Sequence, residues 1–92
     1  MDFHLDDLVL RHNKEEKCFE ALLQDHRLAH VQYQCEPGRM IFTHTVVQPA
    51  ARGKGVAGQL VQHALNYARA EGLTPVPVCS YVQRYLKEHP QA

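Results

Sequence analysis

The chain has 92 residues, 45 % of them hydrophobic and 22 % charged, which is the composition of one small folded domain spanning 1–92 and excludes a disordered or collagen-like chain. Ten Lys and Arg balance ten Asp and Glu, so the strongly basic surface of a nonspecific nucleic-acid binder is not expected. No apolar run exceeds three residues, far short of the ~20 of a membrane span or the 7–15 of a signal-peptide core, and a soluble, cytoplasmic protein with no membrane partner is expected. The zero net charge is an average over two unlike halves: residues 1–36 carry eight acids against four bases, and residues 37–92 two acids against six bases.

Leu8–His12 is a short apolar run that ends at the polar cluster Asn13-Lys14-Glu15-Glu16, which reads as a turn. Cys18–Leu23 alternates, with Phe19, Ala21 and Leu23 on one face, and Gln24–Arg27 returns the chain. In Leu28–Cys35 the residues Ala29, Val31, Tyr33 and Cys35 share one face, and His30, Gln32 and Gln34 the other. Pro37-Gly38 fits the two central positions of a turn, and Met40–Val47 follows as a fourth strand. These four strands form an antiparallel meander.

The period then changes. Ala57, Leu60, Val61, Ala64, Leu65 and Ala68 fall on one face of a helix over Val56–Arg69, which Gly72 terminates. Leu73–Cys79 reads as a strand in which Pro75 and Pro77 lie two apart, so that both missing N–H donors face the same side. That side is either a gap between strands or a bare sheet edge. Ser80-x-x-Gln83 has the form of a capping box for a last helix, with Val82, Tyr85 and Leu86 inward and Pro90 at its end. A strand, a helix and a strand in succession imply a right-handed crossover, so strands 40–47 and 73–79 should be parallel. The fold class is therefore α+β, a meander followed by a β-α-β crossover and a short C-terminal helix, and ligands in such sheets bind at the carboxyl ends of the parallel strands.

The segment between the fourth strand and the helix carries Arg52-Gly53-Lys54-Gly55-Val56-Ala57-Gly58. Three glycines at a helix entrance expose backbone N–H groups, the helix dipole adds partial positive charge, and Arg52 and Lys54 supply full charges, so the segment suits a phosphate or pyrophosphate. It is not a P-loop. Gly53-x-Gly55-x-x-Gly58 has the dinucleotide spacing, but a Rossmann unit needs a preceding parallel strand and an acid ~20 residues further on, after a second strand. Glu71 lies at a helix end, and the preceding strands read as antiparallel.

Arg52-Gly53-Lys54-Gly55-Val56-Ala57 resembles the Q/R-x-x-G-x-G/A signature of the GCN5-related N-acetyltransferase (GNAT) superfamily, and Val47-Gln48-Pro49 stands where that family commonly carries V-x-P. His44-Thr45-x-Val47, the R-G-x-G loop and Cys79-Ser80-Tyr81-Val82 with Tyr85 look like the short, single-domain GNAT-like proteins, and the resemblance covers about residues 17–90. It implies a minimal GNAT fold and binding of acetyl-coenzyme A as co-substrate. The strand backbone at Thr45, Val46 and Val47 would pair with the pantetheine amides, and N–H groups across Arg52–Gly58 would hold the pyrophosphate. Arg84, like Arg52 and Lys54, falls beside the elements expected to face the polyanion. The resemblance further implies acetyl transfer to an amine of unspecified identity, for which the chain has little room to build an acceptor site.

Transfer to an amine needs a base for the amine proton and often an acid for the leaving thiolate. Short relatives usually carry Glu where this chain has Val46. His44 is the remaining candidate on that strand, either a proton carrier or a packed core residue, since alternation puts it on the apolar face with Phe42 and Val46. Glu16 and Glu20 are further candidates. Tyr81 and Tyr85 are the acid candidates, although larger relatives place a tyrosine seven residues after an Asn, positions that here hold Cys79 and Leu86. Cys79 sits at a strand end before a helix, where the dipole favours thiolate, and it either exchanges acyl or disulfide with the coenzyme thiol or packs as a small apolar residue. Cys18 and Cys35 read as structural. Three cysteines without C-x-x-C spacing and seven histidines without adjacent ligands give no metal site and no disulfide framework. Two other readings stay open: a non-catalytic coenzyme A-binding module, and a scaffold that binds a partner through its open sheet face.

Overall fold

Five strands make one sheet in the order β1 (Val9–Asn13), β2 (Cys18–Leu23), β3 (His26–Glu36), β4 (Arg39–Val47) and β5 (Thr74–Pro77). The computed structural model of the chain describes residues 4–90 and 92. The first four strands form the antiparallel meander expected from the sequence, and β4 pairs with β5 in parallel across the connecting helix α1 (Val56–Ala70). A shorter helix, α2 (Ser80–Glu88), follows β5. Two 3₁₀ turns that carry no periodic signal, Leu5–Asp7 and Pro49–Ala51, precede β1 and α1.

The core lies between one face of the sheet and the helices. Leu60, Val61, Ala64, Leu65 and Ala68 of α1, spaced as the sequence predicts, pack on Phe19, Ala21, Val31, Met40 and Phe42 together with Val82 of α2. The last turn of α1 closes on Gly72, whose φ of +72° and N–H bond to the Arg69 carbonyl form the left-handed stop. The β2–β3 hairpin is tighter than the sequence suggests. Gln24 and Asp25 both take positive φ, which makes a two-residue turn and starts β3 at His26 rather than Leu28.

Two β-bulges correct the simple alternation. Ala21 pairs with Ala29 but Leu22 with Arg27, so Leu28 is the extra residue; Gln32 pairs with His44 but Tyr33 with Phe42, so Thr43 is the extra residue. A bulge reverses which face later residues occupy. Met40 and Phe42 point into the core, and past Thr43 that face is taken by Thr45 and Val47, while His44 and Val46 turn outward to the other face and are exposed. His44 therefore does not share the side of Phe42. Cys35 is likewise exposed, because the end of the β3–β4 hairpin projects beyond the core.

The paired prolines face the bare outer edge of the sheet. Thr74 N–H bonds to the Gly38 carbonyl at 2.8 Å and Val78 N–H to the Phe42 carbonyl at 3.0 Å, so the even-numbered donors serve β4 and Pro75 and Pro77 point outward. Prolines there deny a further strand its donors. The capping box does not form: the N-cap of α2 is Cys79, and the Gln83 amide reaches back to the Pro77 carbonyl at 3.0 Å.

The sheet face opposite the helices is uncovered among the described residues, yet it carries a buried carboxylate. Glu20 is 3 % exposed, with Arg11 at 3.3 Å and Arg27 at 3.6 Å laid over it. Burial alone would raise its proton affinity, but Asn13 and the two guanidinium groups hold it below the usual carboxylate range. On the core side, His12 stacks on Phe19 at 4.2 Å, meets the Tyr67 ring edge at 4.4 Å and lies 2.6 Å from the Tyr33 hydroxyl. Burial first, then Lys14 and His63, keep its imidazole less basic than usual. His30 is depressed in the same way by burial and Arg27.

These shifts fix a pH dependence. The unfolded chain takes up protons at the two histidines first, so stability declines as pH falls below about 6.5. Urea midpoints measured between pH 8 and pH 5 should fall across that window, and His12→Leu should show a shallower fall. A midpoint that is flat from pH 7 to pH 5 would contradict the packing described for both rings.

Candidate functional site

β4 and β5 part at Phe42 and Pro77, their last paired residues. The Phe42 carbonyl accepts both the Val78 N–H at 3.0 Å and the Cys79 N–H at 2.9 Å, which ends the ladder and turns the chain into α2. β4 runs on to Val47, so residues 43–47 have no strand partner on the side where β5 leaves. A cavity of about 650 Å³ opens there. Thr45, Val46 and Val47 form one wall, and Ala51, Arg52, Gly53, Gly55, Val56 and Ala57 another. Tyr81 and Arg84 of α2 complete it.

The floor is built by the chain entering α1. Ala51 is 1 % exposed and anchors the 3₁₀ turn, and Gly53 and Gly55 take φ of +75° and +81°. Gly55 is the N-cap of α1 and has no side chain to satisfy the helix start, so the first N–H groups of α1 stay free for a ligand. The first turn holds no acidic residue, no acid lines the cavity, and Arg52 and Arg84 stand on two of its walls. Arg52 Nε donates to the Val47 carbonyl at 3.4 Å, which ties its side chain to the end of β4. Free amide donors, two cations and an exposed strand backbone together suit a ligand with a phosphate group at one end and an amide-bearing arm at the other. Coenzyme A has both, and the residues fit it.

Most of the residues singled out in the sequence converge on this cavity, but not all. Lys54 is exposed on the loop and does not line it. Gly58 does not line it either; it faces α2, where a Cβ would stand in ordinary contact at 3.7 Å from Tyr85 Cε2 and 4.0 Å from the Tyr81 hydroxyl. Tyr85 donates to Gln62 Oε1 at 2.7 Å and lines a separate, more open groove of about 540 Å³ with His63, Asn66 and His89. Ala51 is a lining residue that no motif signalled.

Cys79 stands beside the cavity, with Sγ 3.3 Å from the Thr45 hydroxyl. Burial pushes its thiol up, but the Thr45 hydroxyl and the backbone N–H groups of Val82, Tyr81 and Thr45 outweigh it and the net shift is downward. Tyr81 is pushed up by burial against the opposing Arg84 guanidinium, whose carbon lies 5.5 Å from its ring centre. Its hydroxyl therefore stays protonated well above neutral pH. His44 is exposed on the uncovered face, two residues before Val46. Among the described residues no three His, Cys, Asp or Glu side chains come together to hold a metal ion.

The sequence profile of the GCN5-related N-acetyl-transferase family matches residues 18–92. The chain belongs to this family. Its relatives include Protein NATD1 of Mus musculus, 32 % identical over 83 residues that make up 88 % of this chain and 76 % of the relative. Protein NATD1 of Homo sapiens is also 32 % identical, over 88 % of this chain and 74 % of its own length. Among solved structures, an acetyltransferase of Trypanosoma brucei superposes with a TM-score of 0.60 at 19 % identity, over 86 % of this chain and 66 % of its own. An integron cassette protein of Vibrio cholerae superposes at 0.58 and 20 % identity, over 82 % and 53 %. The mixed sheet with two helices is thus the GNAT fold, and the chain spans about half to two thirds of these two structural neighbours.

Proposed function

We propose that the cavity between β4, the α1 entrance and α2 binds acetyl-coenzyme A, and that the protein transfers the acetyl group to an amine. The observation that carries this reading is the parting of β4 and β5 directly beside an acid-free helix start whose first N–H groups are free. Val56 and Ala57 N–H groups, Arg52 and Arg84 would hold the pyrophosphate, and the unpaired backbone at Thr45, Val46 and Val47 would take the pantetheine amides. Acetyl-coenzyme A supplies a thioester carbonyl that is open to attack by an amine. Tyr81, which keeps its proton at neutral pH, is the acid for the departing thiolate, and Cys79 is the nearest nucleophile to Thr45. We assign this activity to a single domain over 1–92 working in the cytoplasm, without a metal.

A second reading is favoured by Val46: the cavity wall offers no carboxylate or imidazole that could accept an amine proton, as in a module that binds coenzyme A without turnover. Acetyl-coenzyme A incubated with a panel of primary amines separates the two. Release of free thiol that depends on both amine and protein is the expected result. Binding of coenzyme A without any thiol release supports the module instead.

A further inference from the structure

The cavity lining contains no Asp, Glu or His, so the proton acceptor for an incoming amine has to come from outside it. The helices cover one face of the sheet, and Thr45 and Val47 turn toward them. Val46 alone of the β4 lining turns to the uncovered face. An acceptor that reaches the cavity past Val46 therefore crosses that face. Directly across from Val46 on β3 stands His30, which register and alternation place on the same face. Side chains of such cross-strand pairs have Cβ atoms ~4.5–5.5 Å apart. Val46 is also the common wall of two hollows, the coenzyme cavity and a smaller cleft formed by His30, Arg27 and Gln48.

We infer that His30 is the general base for the acceptor amine, acting across Val46 at the edge of the cavity. The inference rests on the acetyl-transfer reading above. In the step, the amine nitrogen bonds to the thioester carbonyl carbon, the C–S bond breaks and coenzyme A leaves as thiolate. The surplus amine proton passes to the His30 imidazole and from there to water, while Tyr81 protonates the departing thiolate and regains its proton from water. The groups that act on His30 are Arg27 of β3, Glu20 opposite it on β2 and Glu16 of the β1–β2 turn; from β4, Val46 brings no charge and His44 stands on the same face two residues before it. Burial and Arg27 outweigh the two carboxylates, so the ring is neutral and able to accept a proton at pH 7. Arg27 is itself paired with Glu20 and Glu16, each 3.6 Å away.

The test uses the intact chain with acetyl-coenzyme A and n-butylamine as probe acceptor. His30→Ala should lower kcat/KM by about 100-fold, within the range general bases contribute. It should leave the coenzyme A binding curve unchanged and remove the acid limb of the pH–rate profile, which wild type should show below about pH 6.5. Adding Val46→Glu to His30→Ala should restore part of the rate, with its limb moved to the carboxylate range. Independently of turnover, the His30 imidazole resonances should shift when acetyl-coenzyme A is added to wild type. Turnover of His30→Ala within twofold of wild type, or an imidazole that does not respond, overturns the assignment. A wild type that binds coenzyme A but acetylates no amine overturns it together with the transferase reading, whereas a wild type that fails to bind coenzyme A removes the cavity assignment itself.

Discussion

Phe42→Ala is expected to lower the unfolding free energy by about 3–5 kcal/mol, the range for emptying a buried phenyl site. Small domains have only ~5–15 kcal/mol in total, so the variant should sit near the edge of folding. Phe42 is 1 % exposed and belongs to the core cluster that holds Val31 of the sheet, Val61, Ala64 and Leu65 of α1, and Val82 of α2. No single neighbour can collapse into the void, because the walls belong to three elements fixed by their own hydrogen bonds. The Phe42 carbonyl that holds Val78 and Cys79 belongs to the backbone and is kept in the variant, so the loss is one of side-chain packing. Urea unfolding checks it: at an m-value of ~1.5 kcal/mol/M the midpoint should fall by about 2 M or more. Val46→Ala, four residues on but exposed, should stay within ~0.5 kcal/mol of wild type. Equal effects of the two would contradict the bulge at Thr43 that separates their faces.

Gly55→Val should weaken coenzyme A binding by at least about tenfold, or ~1.4 kcal/mol. Gly55 has φ of +81° at the N-cap of α1, a conformation that costs a residue with a Cβ ~1–2 kcal/mol and a β-branched residue more. A Cβ there would lie 3.5 Å from Leu5 Cδ1, ordinary contact, but the γ-methyls would press on the 3₁₀ turn before β1. The strain is relieved by rotating the backbone, and that rotation re-aims the free N–H groups that the ligand needs. Binding should fall by more than stability does, because the helix beyond the first turn keeps its packing. A coenzyme A titration beside a urea melt separates the two, and unchanged affinity would place the phosphates elsewhere.

The parts of this architecture that depend on period and turn chemistry were legible in the sequence. The 3, 1, 3 spacing from Ala57 to Ala68 could belong only to a helix face, and the glycine loop before it marked the chain's entry into that helix, where the cavity opens. Family membership followed from the residues of that loop. What was hidden rests on single extra residues and on hydrogen-bond choices. Nothing in Phe42-Thr43-His44 signals a bulge, yet Thr43 is what moves His44 and Val46 to the open face and so puts Val46 beside His30. Ser80-x-x-Gln83 has the composition of a capping box, but Gln83 finds a closer need in the Pro77 carbonyl. Pro75 and Pro77 told which side of β5 lacks donors, and only the Thr74 and Val78 bonds show that this side is the outer edge.

The charge division of the chain is also sharpened. The eight acids of residues 1–36 include Glu16 and Glu20, which are engaged by Arg27 and Arg11 on the uncovered face, and the cations beside the cavity are Arg52 and Arg84 from the positive half.

Whether the cavity at the end of β4 takes coenzyme A is decided by a titration of coenzyme A followed residue by residue through backbone amide shifts. Saturable shifts are expected at Thr45–Val47, Arg52–Ala57 and Tyr81–Arg84, with little movement at β1 or β2. Amides of Arg52–Ala57 that stay still at millimolar coenzyme A, or shifts centred instead on the groove of His63 and His89, would contradict the coenzyme A assignment.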